Sequence, residues 1–170
     1  MTSVDSPFCI RKAVADDAAA VAALLDPYVP EGLVLPRPPA DILRHIDNFL
    51  VAENDGGRAV GSVALRDFGN GLEEVRSLVV HPYSAGHGLG SELVRRAVSM
   101  AVGRGATRVF ALTMRPKIFE RLHFLQVGMS MFPQKVWSDC VQCPKRDACD
   151  EVALLLDLER HFADPEFQPC

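Results

Sequence analysis

Three glycines at every second position, Gly86, Gly88 and Gly90, stand between an apolar β-branched run that ends at Val80 and a helical pattern with Leu89, Leu93 and Ala97 on one face. Glycines let the backbone pass close to a ligand. The unpaired N–H groups of a first helical turn, with the helix dipole behind them, attract phosphate oxygens. Leu78 to Arg96 therefore reads as strand, glycine loop and helix start, an arrangement suited to a pyrophosphate. The alternative is that the glycines serve tight packing alone. A dinucleotide fingerprint would need G-x-G-x-x-G behind a first strand, and a P-loop would need a Lys-Ser/Thr pair; the G-x-G-x-G pattern here, midway along the sequence, has neither.

The strand that feeds the loop carries Glu73, Glu74 and Arg76. A period of two puts Glu74, Arg76, Leu78 and Val80 on one face and Glu73 on the other. A carboxylate and a guanidinium side by side could move a proton and hold an anion; the alternative is a solvated strand start with surface charges. Late in the sequence, Cys140-x2-Cys143-x5-Cys149 offers knuckle spacing for zinc in its first pair, with the fourth ligand open among His123, His161 and Cys170. Reduced structural thiols are the other reading.

Positioning such groups takes a single domain, and 170 residues, 48% of them hydrophobic, are enough to build its core. Five cysteines, an odd number, do not resemble a secreted disulfide framework. With a net charge of −4 and no basic run, nucleic-acid binding is not expected. No apolar stretch approaches membrane-spanning length and the first residues lack a leader pattern, so a cytoplasmic protein without a membrane role is expected.

Phe8 to Ala13 reads as a first strand, followed by Asp16-Asp17 as N-cap of an alanine-rich helix that Pro27 ends. Four prolines between Asp26 and Pro39 make an irregular connection of the kind that lines sites. A second helix is expected from Ala40 to Asp47, then an antiparallel hairpin of Phe49–Glu53 and Arg58–Arg66 around Asn54-Asp55-Gly56-Gly57. After the strand Glu73–Val80 and the loop helix come a strand at Arg108–Thr113, a short helix at Pro116–Leu122 and a closing strand at Glu151–Leu158. The order β-α-α-β-β-β-α-β-α-β-β is an α/β (α+β) mixture with a largely antiparallel first half. Residues 8–158 form the expected domain, with 1–7 and 159–170 as terminal extensions.

The stretch V-x-H-P-x-x-x-G-x-G-x-G resembles the acetyl-CoA loop of the GNAT acyltransferase superfamily, with Ala85 where Arg or Gln is usual. From Ile10 to Leu158 the sequence is similar to one branch of it, the short single-domain N-acetylglutamate synthases of arginine biosynthesis. The likeness rests on Gly32-Leu33-Val34-Leu35-Pro36-Arg37, Phe49-Leu50-Val51-Ala52-Glu53, Glu74-Val75-Arg76-Ser77-Leu78 and Phe110-Ala111-Leu112-Thr113. Pro133-Gln134-Lys135-Val136-Trp137-Ser138-Asp139-Cys140, with Cys143-Pro144-Lys145 and Cys149-Asp150-Glu151, is its most distinctive part. His123 stands where the superfamily usually has the glycine of "LGF".

The resemblance implies an α/β (α+β) fold with a mixed, largely antiparallel central sheet flanked by helices on both faces, and acetyl transfer from acetyl-CoA to the α-amino group of L-glutamate. Leu78, Val79 and Val80 would pair with pantetheine and polarise the thioester through backbone N–H groups, and Ala85, Gly86, His87, Gly88, Leu89, Gly90 and Ser91 would hold the pyrophosphate. Glu74 is the expected general base. Arg37, Arg76 and Lys135 are the expected cations for the two carboxylates of glutamate. Phe119 occupies the place where many superfamily members keep a proton-donating tyrosine, so the donor is left to water or to Tyr28. The superfamily reaction needs no metal, and zinc on Cys140, Cys143 and Cys149 would tie down a loop. A length of 170 residues is not expected to hold a fused amino-acid kinase domain, and a homodimer stays open. The competing readings are a GNAT enzyme for another small amine or a protein amine, and an acetyl-CoA sensor without catalysis.

Overall fold

The computed structural model describes residues 7–132 and 151–161. Strand β1 (Phe8–Lys12) leads to α1 (Ala18–Leu25) and, after the proline-rich connection, to α2 (Pro39–Arg44). Strands β2 (Phe49–Asn54), β3 (Ala59–Asp67) and β4 (Leu72–Val80) follow, then α3 (Leu89–Gly103), β5 (Arg108–Thr113), α4 (Lys117–Glu120), β6 (Leu125–Val127), β7 (Val152–Asp157) and α5 (Leu158–His161). The expected element order is present. The second helix is shorter than expected, because His45 leaves the helical region and a separate tight turn covers Ile46–Asn48.

Asp17 stands at the N-cap of α1, yet its carboxylate turns backwards. It accepts from the Val14 N–H at 2.7 Å and from both Nη atoms of Arg11, at 2.7 and 3.0 Å. Arg11 Nε also donates to Glu53 at 2.6 Å, so one guanidinium ties the start of α1 to β1 and β2. The hydrogen bond from Arg11 holds the Asp17 carboxyl below its ordinary range, against the opposing effect of burial.

The seven strands form one sheet in the order β1-β2-β3-β4-β5-β7-β6. Every pairing is antiparallel except β4 with β5. That parallel pair is short: it joins Leu72 to Arg108, Glu73 to Val109 and Glu74 to Phe110, and β4 then runs on to Val80 without a β5 partner. The strands part in the middle of the sheet.

Apolar residues cover both faces. On one, α3 and α4 pack Leu93, Val94, Ala97, Phe119 and Phe124 against Val63, Leu65, Val75 and Val109. On the other, α1 and α2 pack Val21, Leu25 and Ile42 against Phe49, Val51, Ala64 and Val79. Phe110 and Phe132 stack at 4.1 Å between centroids and extend that second face, with Leu72, over the stretch where β4 and β5 pair.

Candidate functional site

A cleft of about 680 Å³ opens where β4 leaves β5. One wall is β4 from Glu74 to Val80, and another is the loop and first turn of α3, including Pro82, Ala85, Gly86, Gly88, Gly90 and Ser91. The proline-rich connection contributes Tyr28, Leu33, Leu35 and Arg37, while Met114, Arg115, Ile118 and Arg121 close the side towards α4.

The glycine loop has the geometry that an anion needs. Gly86 and Gly88 have φ of 82° and 76°, the left-handed region, and a Cβ on either would meet nothing within 4 Å. Backbone conformation, then, is what calls for glycine there. Gly90 differs: a Cβ would stand 3.4 Å from Ile118 Cδ1, so its role includes the close approach of α3 to α4. The first helical bond of α3 runs from the Glu92 N–H to the Gly88 carbonyl at 3.1 Å. The N–H groups of Leu89, Gly90 and Ser91 come before it, without a carbonyl partner inside the helix, at the cleft wall.

Strand β4 does not keep its expected faces. Its pairing with β3 passes from Arg76 opposite Ala64 to Val79 opposite Ser62, so three steps on β4 match two on β3. One β3 residue, Val63, spans two on β4, which is a β-bulge, and Ser77 takes a φ of 53° to accommodate it. Glu74 and Arg76 therefore share a face with Val79, and Leu78 and Val80 join Val75 on the α3 side. The period-of-two reading that grouped Glu74 and Arg76 with Leu78 and Val80 fails at Ser77. The cleft still contains all four, because it runs along the edge of β4 that β5 leaves unpaired and meets both faces.

The acidic pair is not a solvated strand start, since Glu73 and Glu74 are each only 3% exposed. Glu73 points to the α3 side, where Arg104 Nη1 donates to its Oε1 at 3.0 Å. Burial pushes the Glu73 carboxyl up, and the hydrogen bond from Arg104 opposes that. Glu74 lines the cleft.

Of the expected site residues, Glu74, Arg37, Arg76, Leu78, Val79, Val80, Ala85, Gly86, Gly88, Leu89, Gly90 and Ser91 come together in this one cleft. Arg37 is already engaged by Asp41, its neighbour one turn along, at 3.0 Å. His87 does not line the cleft: its ring lies edge-on to Phe8 and its Nδ1 is 3.3 Å from the Ser84 carbonyl. Lys135, Cys140, Cys143 and Cys149 lie outside the described residues. Among the described residues no cluster of three or more His, Cys, Asp or Glu could hold a metal, and no helix is long and apolar enough to cross a membrane.

Tyr28 reaches the cleft, and its hydroxyl donates to the Val80 carbonyl at 3.5 Å. Phe119 also lines it, buried edge-to-face on Phe124, so the α4 side offers a ring and no hydroxyl at that position. The sequence reading missed Met114, Arg115, Ile118, Arg121 and Glu151. No local motif marks Met114, Arg115, Ile118 or Arg121, which come beside β4 through the nonlocal parallel pairing; Glu151 stands in the Cys149-Asp150-Glu151 stretch, to which no site role was given. His123 has a φ of 70°, which accounts for the glycine usual at that turn in the resembling superfamily.

The cleft fits an acetyl-CoA-sized ligand on three counts: helix-start amides without an acceptor inside the helix, a strand edge that β5 leaves unpaired, and a buried carboxylate beside it. Comparison with known proteins points the same way. The model of the Acetyltransferase (GNAT) family matches residues 19–128. An uncharacterized N-acetyltransferase from Chlorobaculum tepidum is 37% identical over 150 residues, spanning 88% of this chain and 96% of its own. An amino-acid acetyltransferase from Mycobacterium tuberculosis is 31% identical over 151 residues, covering 88% of this chain and 84% of that one. The N-acetylglutamate synthase from Neisseria gonorrhoeae, solved with coenzyme A and N-acetyl-glutamate, superposes with a TM-score of 0.78 at 26% identity. It covers 91% of this chain, which matches only 36% of the Neisseria protein.

Proposed function

The chain belongs to the GNAT acetyltransferase family and is an acetyl-CoA-dependent N-acetyltransferase; from that premise we propose that its acceptor is the α-amino group of L-glutamate, as in the first step of arginine biosynthesis. A cytoplasmic setting accompanies this reading. The observation that carries it is one continuous cleft joining the helix-start amides to Glu74, Arg76 and Arg37.

In this reading the N–H groups from Gly86 to Ser91 hold the pyrophosphate and the unpaired edge of β4 holds the pantetheine arm. The backbone N–H of Val80, on the edge of β4 away from β3, polarises the thioester carbonyl. Glu74 takes a proton from the acceptor's α-ammonium group, directly or through water. The neutral amine attacks the carbonyl carbon, the new C–N bond forms, the C–S bond breaks to release the thiolate, and the nitrogen gives up its second proton to water as the amide forms. Water or the Tyr28 hydroxyl returns a proton to the sulfur.

Glutamate brings two carboxylates, and a planar guanidinium matches a carboxylate best. Arg76 is the principal partner, because it stands on β4 two residues from Glu74 and lines the same cleft. Lys135 would be the third cation. A charge-assisted hydrogen bond contributes about 1.5–3 kcal/mol. Arg76→Ala should therefore raise the KM for glutamate roughly tenfold to a hundredfold and that for acetyl-CoA by less than about threefold. Equal effects on both would make Arg76 structural and remove the main support for a dicarboxylate acceptor.

A further inference from the structure

We infer that Ser62 is a positioning residue for acetyl transfer, its buried hydroxyl holding the Ser77 peptide in the bulge that turns β4 towards the thioester. Ser62 is 0% exposed and interrupts an otherwise apolar stretch of β3. Its Oγ donates to the Ser77 carbonyl at 3.2 Å. Ser77 is the residue with a φ of 53°, and it lies in the gap between the Arg76–Ala64 and Val79–Ser62 pairs. An L-residue in that region is strained, and the bulge removes its peptide from the regular ladder. A hydroxyl donor from the facing strand offsets both costs.

The consequence reaches the site through direction. Without the bulge, β4 would alternate regularly and Val79 would lie on the same side as Val75 and Ser77. With it, Val79 packs into the α1 core, and the backbone from Ser77 to Val80 is re-aimed along the cleft wall. Ser62 does not line the cleft and touches no substrate. It acts through Ser77.

The inference rests on the acyl-transfer reading of the cleft and not on glutamate as acceptor. The test compares Ser62→Ala with the double variant Ser62→Ala, Ser77→Gly, since glycine adopts the left-handed conformation without the strain. Ser62→Ala should lower kcat about tenfold. Its Kd for CoA, held chiefly by the loop at residues 86–91, should stay within about threefold. Adding Ser77→Gly should restore at least about a third of the lost kcat. Unchanged kcat in folded Ser62→Ala would overturn the inference. So would a fall in kcat matched by an equal loss of CoA affinity that the glycine does not relieve, because that pattern is general loosening. The slow hydrolysis of acetyl-CoA, which needs the same carbonyl polarisation and no amine, gives the same comparison if glutamate proves to be the wrong acceptor.

Discussion

Replacing Arg104 by methionine removes the guanidinium that the buried Glu73 carboxylate accepts from, while keeping the aliphatic stem. The side chain of Glu73 is 4% exposed and that of Arg104 33%, so the pair is neither a free surface bridge nor a fully buried one. A charged hydrogen bond of this kind contributes about 1.5–3 kcal/mol, and partial exposure of the arginine argues for about 2 kcal/mol. The bond from Arg104 Nη2 to the Asp47 carbonyl at 3.1 Å would also be lost, a smaller exposed contribution. Burial already raises the Glu73 carboxyl above its ordinary range, so ionising it costs the folded state more than the unfolded one. That contribution to stability is complete below the unfolded pKa and is lost as pH rises through the folded one. Removing Arg104 raises the folded value further and extends the loss to higher pH. Urea unfolding should show Arg104→Met weaker by about 2 kcal/mol near pH 8, roughly 1 M in midpoint, and by less than about 1 kcal/mol near pH 4.5. A deficit that is equal at both pH values, or absent, would refute the reasoning that an ionised, buried Glu73 depends on Arg104.

Glu74→Gln keeps the shape of the side chain and removes its basicity, so kcat near neutral pH should fall about a hundredfold or more while CoA binds as before; unchanged turnover would remove Glu74 as the base. Gly88→Ala finds open space for its methyl group but must hold a φ of 76°, a strain of about 1–2 kcal/mol. Its KM for acetyl-CoA should rise about five- to tenfold with that for glutamate within about twofold, and Gly88→Asn should be milder because asparagine tolerates this conformation. An unchanged acetyl-CoA KM in folded Gly88→Ala would contradict the anion-loop role.

Element types were legible wherever a local rule governed them. The β-branched run before His81-Pro82, the glycines after it and the one-sided apolar pattern of Leu89, Leu93 and Ala97 together specify a strand-loop-helix junction, and it is there. The hairpin at Asn54-Asp55-Gly56-Gly57 formed because Asn54 Oδ1 accepts from the Gly56 and Arg58 N–H groups and Gly57 takes the left-handed position. What failed was strict alternation along β4. A bulge depends on the facing strand, and nothing in Glu74-Val75-Arg76-Ser77 announces that Ser62 will capture the Ser77 carbonyl. The burial of Glu73 was hidden for a related reason, since its partner Arg104 is 31 residues away at the end of α3. The wall made by Arg115, Ile118 and Arg121 depends on β5 lying beside β4 for only three pairs, a tertiary fact without a local signature.

Incubating the purified protein with acetyl-CoA and an equimolar mixture of the common amino acids, and identifying the acetylated products by mass spectrometry, tests the assigned acceptor directly. The account predicts N-acetylglutamate as the dominant product, strongly reduced in Arg76→Ala. Dominant acetylation of an amino acid without a side-chain carboxylate, or no acetylated amino acid from protein that still binds acetyl-CoA, would contradict it.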